Sequence, residues 1–125
     1  MAQAKLVSIV ESTLHPNYSD LYQEKGLTET KVNSIRKAIS IIKKQPVEFI
    51  VAEFFYAYST NYSGVSKSNL DVLLVSLMKY SPDTKVIVLA EKSEYKFVDV
   101  LEALNFPLHA ILVHPTNSAQ MEALL

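Results

Sequence analysis

Residues 81–104 read SPDTKVIVLAEKSEYKFVDVLEAL, and their interpretation decides the fold. The run at 86–90 is Val-Ile-Val-Leu-Ala, short, apolar and almost without alternation. A strand covered on both faces has that composition, because neither side meets water. Phe97, Val100, Leu101 and Leu104 then recur at helical spacing, with Ser93 as the expected cap. A doubly buried strand followed by an amphipathic helix is one βα unit.

Working outward, three more runs have the same character, at 6–10, 49–52 and 110–113. Helical stripes lie between them. Val32, Ile35, Ile39 and Ile42 predict one helix, with Thr28 as its cap and Pro46 at its end. Leu70, Leu73, Leu74 and Leu77 predict another, with Ser68 and Asp71 spaced as a capping box. Met121, Leu124 and Leu125 predict a last helix, capped by Asn117 or Ser118. Segment 12–27 shows no convincing strand, and a short helix is expected around 20–25. Alternating strands and helices imply βα units with right-handed crossovers. The expected fold is therefore α/β: a three-layer α/β/α sandwich around a parallel sheet of four to five strands. A sheet of only four strands would leave an edge to be covered or paired, which favours dimerisation.

The chain has 125 residues, the size of one domain spanning 1–125. It stops about two turns into an apolar helix, where about three are usual, so the domain is expected to be cut from a longer protein or to end in a truncated helix. Nearly half of the residues (49%) are hydrophobic and only two are glycine, a core-forming composition. The formal net charge of -1 lacks the excess of Lys and Arg that a nucleic-acid binder needs. No polybasic stretch suits an anionic membrane. The first apolar run is broken by Glu11, too soon for a signal peptide or a membrane span. Cysteine is absent, which excludes disulfides, zinc-thiolate sites and thiol nucleophiles. A soluble cytoplasmic domain is the expectation.

Loop chemistry adds to strand order. KLVSIVEST (5–13), VEFIVAEFF (47–55), the stretch 81–104 and ILVHPTNSAQMEALL (111–125), taken in that order, resemble the receiver domain of two-component response regulators, a flavodoxin-like fold. The resemblance implies a site at five positions. The family's acidic pair after the first strand, which holds magnesium, corresponds to Glu11 and Ser12. A neutral hydroxyl is a poor substitute for a carboxylate at a hard cation. The phosphoacceptor Asp corresponds to Glu53, one methylene longer, which misplaces the attacking oxygen. The hydroxyl residue ending the fourth strand corresponds to Ala90, and the lysine before proline to His114, ahead of Pro115. A mostly neutral imidazole does not replace a permanent cation. The family's aromatic switch position holds Ile111.

With all five positions altered, the resemblance implies a degenerate, non-enzymatic pseudo-receiver that needs no cofactor. Its partner would be a protein: a second copy, a sensor kinase or an output domain. The family's usual pairing face maps to 94–104 and 111–125, with Tyr95, Phe97 and Ile111 as residues to probe. Segment 54–64 (FFYAYSTNYSG) carries five aromatics. Tyr56, Tyr58 and Tyr62 there suit a protein interface, since tyrosine offers large contact area with few rotors.

Two competing readings are kept. Glu11, Glu53 and His114 would all lie at strand carboxyl ends and have the ligand types of a zinc or manganese site, so an altered receiver could still bind metal or phosphate. A small ligand-binding domain of the same fold would use a pocket over Ser12, Ser59 and Thr60. With only Gly26 and Gly64 present, a glycine-rich phosphate loop is excluded, and there is no G-x-S-x-G elbow.

Overall fold

A computed structural model describes residues 4–11, 17–55, 70–96, 106–114 and 116–125. Elements follow in the order β1 (Ala4–Ile9), α1 (Ser19–Glu24), β2 (Leu27–Val32), α2 (Ile35–Lys44), β3 (Phe49–Glu53), α3 (Asp71–Tyr80), β4 (Lys85–Ala90), β5 (Ala110–Val113) and α4 (Ser118–Glu122). The five strands form one sheet in the order β2-β1-β3-β4-β5, with every neighbouring pair parallel.

Burial follows the pleat. Val7, Ile9, Ile50, Ala52, Val86, Val88 and Ala90 point to one face, where Ala38 and Ile42 of α2 and Leu73, Leu74 and Leu77 of α3 cover them. Leu6, Phe49, Val51, Ile87 and Leu89 point to the other, against Tyr22 of α1 and Met121 of α4. This is the expected α/β/α sandwich. It explains why β3 and β4 read as unbroken apolar runs: alternate residues serve alternate cores. Each fully buried leucine of α3 contributes about 1.5–3 kcal/mol before entropy is counted.

The largest departure from the sequence reading is β2. Thr28 caps no helix; it lies in a strand at the sheet's edge, paired with Lys5. Gly26, at φ +76°, makes the turn out of α1 that leads into it. Thr28, Thr30 and Lys31 of this edge strand are exposed, so it shows no apolar run, and its Leu27, Glu29 and Val32 are only half-buried. Val32 happens to fall in register with the helical stripe that follows, which carried the expected helix too far upstream. The helix begins at Ile35 instead. The Ser34 side chain accepts the Lys37 N–H at 3.2 Å as its N-cap, and the helix stops before Pro46 as expected.

At the C-terminus, Asn117 makes a full capping box. Its Oδ1 accepts the Gln120 N–H at 2.8 Å, and Gln120 Oε1 accepts the Asn117 N–H at 3.0 Å. Ser68 and the stripe at Phe97, Val100, Leu101 and Leu104 lie outside the described residues; α3 starts at Asp71, and Leu70 at its N-cap makes no side-chain cap bond. A buried hydroxyl pair ties down the sheet's amino edge. Ser81 and Thr84 bond at 2.6 Å, Thr84 donates to the Val47 carbonyl at 2.8 Å, and Ser81 accepts the Val47 N–H at 3.3 Å. No helix among the described residues is long and apolar enough to cross a membrane.

In urea titrations, Ile50→Ala is expected to lower the unfolding free energy by about 2–5 kcal/mol, the cost of a core cavity. Ser34→Ala should cost only about 1 kcal/mol, the loss of one cap. A comparable loss for both would mean that β3 is not the centre of the core.

Candidate functional site

Parallel strands bring their carboxyl ends to one edge of the sheet, where open α/β sheets bind ligands. The ladder runs one residue past several strands and so fixes where they exit. The Val10 N–H donates to the Val32 carbonyl at 2.8 Å, Phe54 N–H to the Leu89 carbonyl at 2.8 Å, and His114 N–H to the Ala90 carbonyl at 2.9 Å. Glu11, Glu53, Ala90 and His114 all sit along this edge, as the sequence led us to expect.

Their roles are now distinguishable. The Glu53 side chain does not reach into solvent; the residue is only 2% exposed. Its Oε2 accepts the backbone N–H of Glu11 at 2.7 Å, the length of a charge-assisted bond. The carboxylate therefore ties the end of β3 to the end of β1. Ala90 is fully buried in the core beneath α2 and α3 and presents no polar atom. Ile111, paired with Val88, is half-buried and packs against that same core. His114 is half-buried, and Tyr95, in the turn after β4, is 50% exposed. Among the described residues, no three of His, Asp and Glu come together as a group able to hold a metal ion. Ser12, Tyr56, Tyr58, Ser59, Thr60, Tyr62, Phe97 and Pro115 lie outside the described residues.

A second polar cluster escaped sequence reasoning. The Glu29 carboxylate of β2 accepts the Ser8 hydroxyl at 2.6 Å through Oε2 and the Ser19 hydroxyl at 2.6 Å through Oε1. One edge-strand acid thus holds both β1 and α1. Tyr22 packs beside it, with its hydroxyl buried near Ser8 but making no bond of hydrogen-bonding geometry. Burial, and then the nearby Glu29 charge, push the Tyr22 phenol well above its ordinary value. The only sequence signal was Ser8 interrupting an apolar run. Glu29 also lines an open cleft of about 430 Å³ with Val10, Asn17, Val32 and Lys37, a lining that does not include Glu53. On the same face of the sheet as Tyr22, the Tyr18 and Thr116 hydroxyls bond at 2.6 Å and link the entry of α1 to the loop after β5.

No family model matches the chain, and no curated protein matches it in sequence. Solved structures do match in fold. A response regulator receiver domain from Clostridium thermocellum superposes with a TM-score of 0.68 at 16% identity, covering 97% of this chain and 90% of that one. A response regulator from Thermotoga maritima gives 0.66 at 12% identity, covering 98% and 93%. A response regulator from Burkholderia pseudomallei, solved with a phosphorylated aspartic acid and a calcium ion, gives 0.64 at 16% identity, covering 98% of this chain and 66% of that one. The chain has the receiver fold.

Glu53→Ala should free the Glu11 amide, seen as faster hydrogen exchange at that residue, and cost about 1–3 kcal/mol of stability. Unchanged Glu11 exchange would disprove the tie between the strands. Tyr22 gives a pH prediction. Its folded-state pKa is raised, so its contribution is intact below the ordinary value of 10.0. Above that pH the unfolded phenol ionises while the buried one keeps its proton, and stability falls as pH rises. Tyr22→Phe should therefore lose less stability between neutral and strongly alkaline pH, as read by thermal melts.

Proposed function

We propose that this chain is a signalling module of receiver fold that acts through protein contacts and does not accept a phosphoryl group at the end of β3. The observation that carries this reading is the buried Glu53 carboxylate bonded to the Glu11 N–H. In-line phosphoryl transfer needs an acceptor oxygen held free, at attack distance from the donor. Here one oxygen is already held by backbone, on a side chain pulled towards β1.

The neighbouring positions point the same way. A receiver retains the transferred group by electrostatics: a metal ion, a hydroxyl and a lysine. Magnesium wants several carboxylate and carbonyl oxygens in near-ideal octahedral geometry. The residues present do not fit it, because Ser12 stands where a second carboxylate is needed and Glu53 is engaged by the Glu11 amide. Ala90 offers no hydroxyl, and His114 stands in the place of the lysine. Glu53 supplies a standing negative charge at the edge where a phosphorylated receiver would acquire one.

On this reading the chain is not an enzyme and needs no cofactor. Its partner is a protein, whether a second copy, a sensor kinase or an output domain, met in the cytoplasm. Tyr95, half-exposed in the turn after β4, is a described residue able to meet a kinase or an output domain. Nucleic acid is disfavoured by the net charge of -1.

Amide spectra recorded with and without magnesium and beryllofluoride, a phosphoryl stand-in, test the site. Resonances of Glu11, Glu53 and Ala90 should not move. Saturable shifts there would replace this reading with that of a working, altered switch. Tyr95→Glu should weaken partner capture without lowering the melting temperature; capture unchanged by it would remove Tyr95 from the interface.

A further inference from the structure

Helix α3 carries apolar side chains on its outer side as well as on its buried one. Leu73, Leu74 and Leu77 are buried against the sheet. Its outer side is not polar either: Val72, Val75 and Met78 stand 53%, 52% and 42% exposed. Together with Tyr95 they are the large hydrophobic side chains most exposed among the described residues. Its neighbour α2 shows what a solvated helix on this face looks like, exposing Arg36, Lys37, Ser40, Lys43 and Lys44. Adjacent apolar side chains left exposed on a helix's outer side form a surface suited to a partner.

We propose that the outer face of α3 docks a second copy of this chain, by antiparallel pairing of α3 with α3 about a two-fold axis at Val75. The residue pattern is symmetric about that position. Val72 and Met78 lie three residues to either side of it, and Asp71 and Lys79 lie four. Antiparallel pairing sets Val75 against its copy, Val72 level with Met78, and Asp71 level with Lys79 at both ends. The charges at mirrored positions are opposite in sign, so the face complements itself, which is what an isologous interface requires. The helix dipoles also oppose, which favours the same arrangement. Asp71 has a contact within its own chain, and the Lys79 ammonium lies 5.3 Å from the Tyr80 ring centre. Neither precludes the pairing, since a carboxylate accepts several bonds and an ammonium donates three. Three half-exposed side chains make a patch smaller than stable dimers bury, so the association is weak and concentration-dependent. The proposal does not depend on the contact-module reading: a chain that bound phosphate at Glu53 would carry the same face.

Sedimentation equilibrium of the full chain over rising concentration tests it, with thermal melts to verify folding. The wild-type chain should self-associate. Val75→Lys, Asp71→Lys and Lys79→Asp should each weaken the association constant by about tenfold or more, through like charges brought face to face. The double variant D71K/K79D should recover most of the loss. It carries both unfavourable helix-end charges, so recovery cannot come from a better-formed helix. A wild-type chain that stays monomeric throughout overturns the proposal. So does association untouched by Val75→Lys, or a double variant no better than the singles; either result assigns self-association to another face.

Discussion

The structure depends on two central strands that have no access to water. β3 is buried along its whole length, and β4 is buried after Lys85. Backbone groups in such strands must be paired within the sheet, because an unmet buried donor costs more than a hydrogen bond yields. That requirement sets the register of β1, β3 and β4. The pairing continues past the strand ends: Glu48 N–H donates to the Lys5 carbonyl, and Lys85 N–H to the Glu48 carbonyl, both at 2.9 Å. Once register is set, the positions at which the chain leaves the sheet are set too, and with them the line from Glu11 through Glu53 and Ala90 to His114.

Glu53 sits where this constraint meets the site. Its position is the last residue of a fully buried strand, so its carboxylate needs a hydrogen-bond partner there. The Glu11 N–H, just beyond β1, supplies one. A shorter aspartate would stop one methylene sooner. The same edge is apolar at Ala90, which belongs to the core. A carboxylate bonded to backbone and an apolar neighbour offer a phosphoryl group less than a free carboxylate and a hydroxyl would. That contrast supports the reading of the chain as a contact module.

The edges of the sheet follow different physics. β2 is stapled through Glu29, which accepts the Ser8 and Ser19 hydroxyls and so compensates for the strand's sparse apolar burial. The unpaired Tyr22 hydroxyl is the cost of packing a tyrosine into the core beside it. On the opposite face, α3 combines an ordinary buried leucine stripe with an apolar outer side. Among the described residues, packing within one copy of the chain does not account for that outer side.

Local sequence determined the doubly buried strands 49–52 and 86–90, the apolar edge strand 110–113 and the end of α2 before Pro46, and it narrowed the last cap to Asn117 or Ser118. Each rests on side-chain burial at fixed spacing or on bonds spanning three or four residues, and short segments record such features directly. The receiver-like order of elements, and the placement of Glu11, Glu53, Ala90 and His114 at strand ends, were legible for the same reason. Only the tertiary structure decided that 27–32 is an edge strand, because its partner is β1 and its half-solvated side carries no apolar run. Only the tertiary structure gave the Glu53 carboxylate to the Glu11 N–H and the Glu29 carboxylate to Ser8 and Ser19. These bonds join residues far apart in the chain, and no local pattern specifies which distant donor a buried acid will meet.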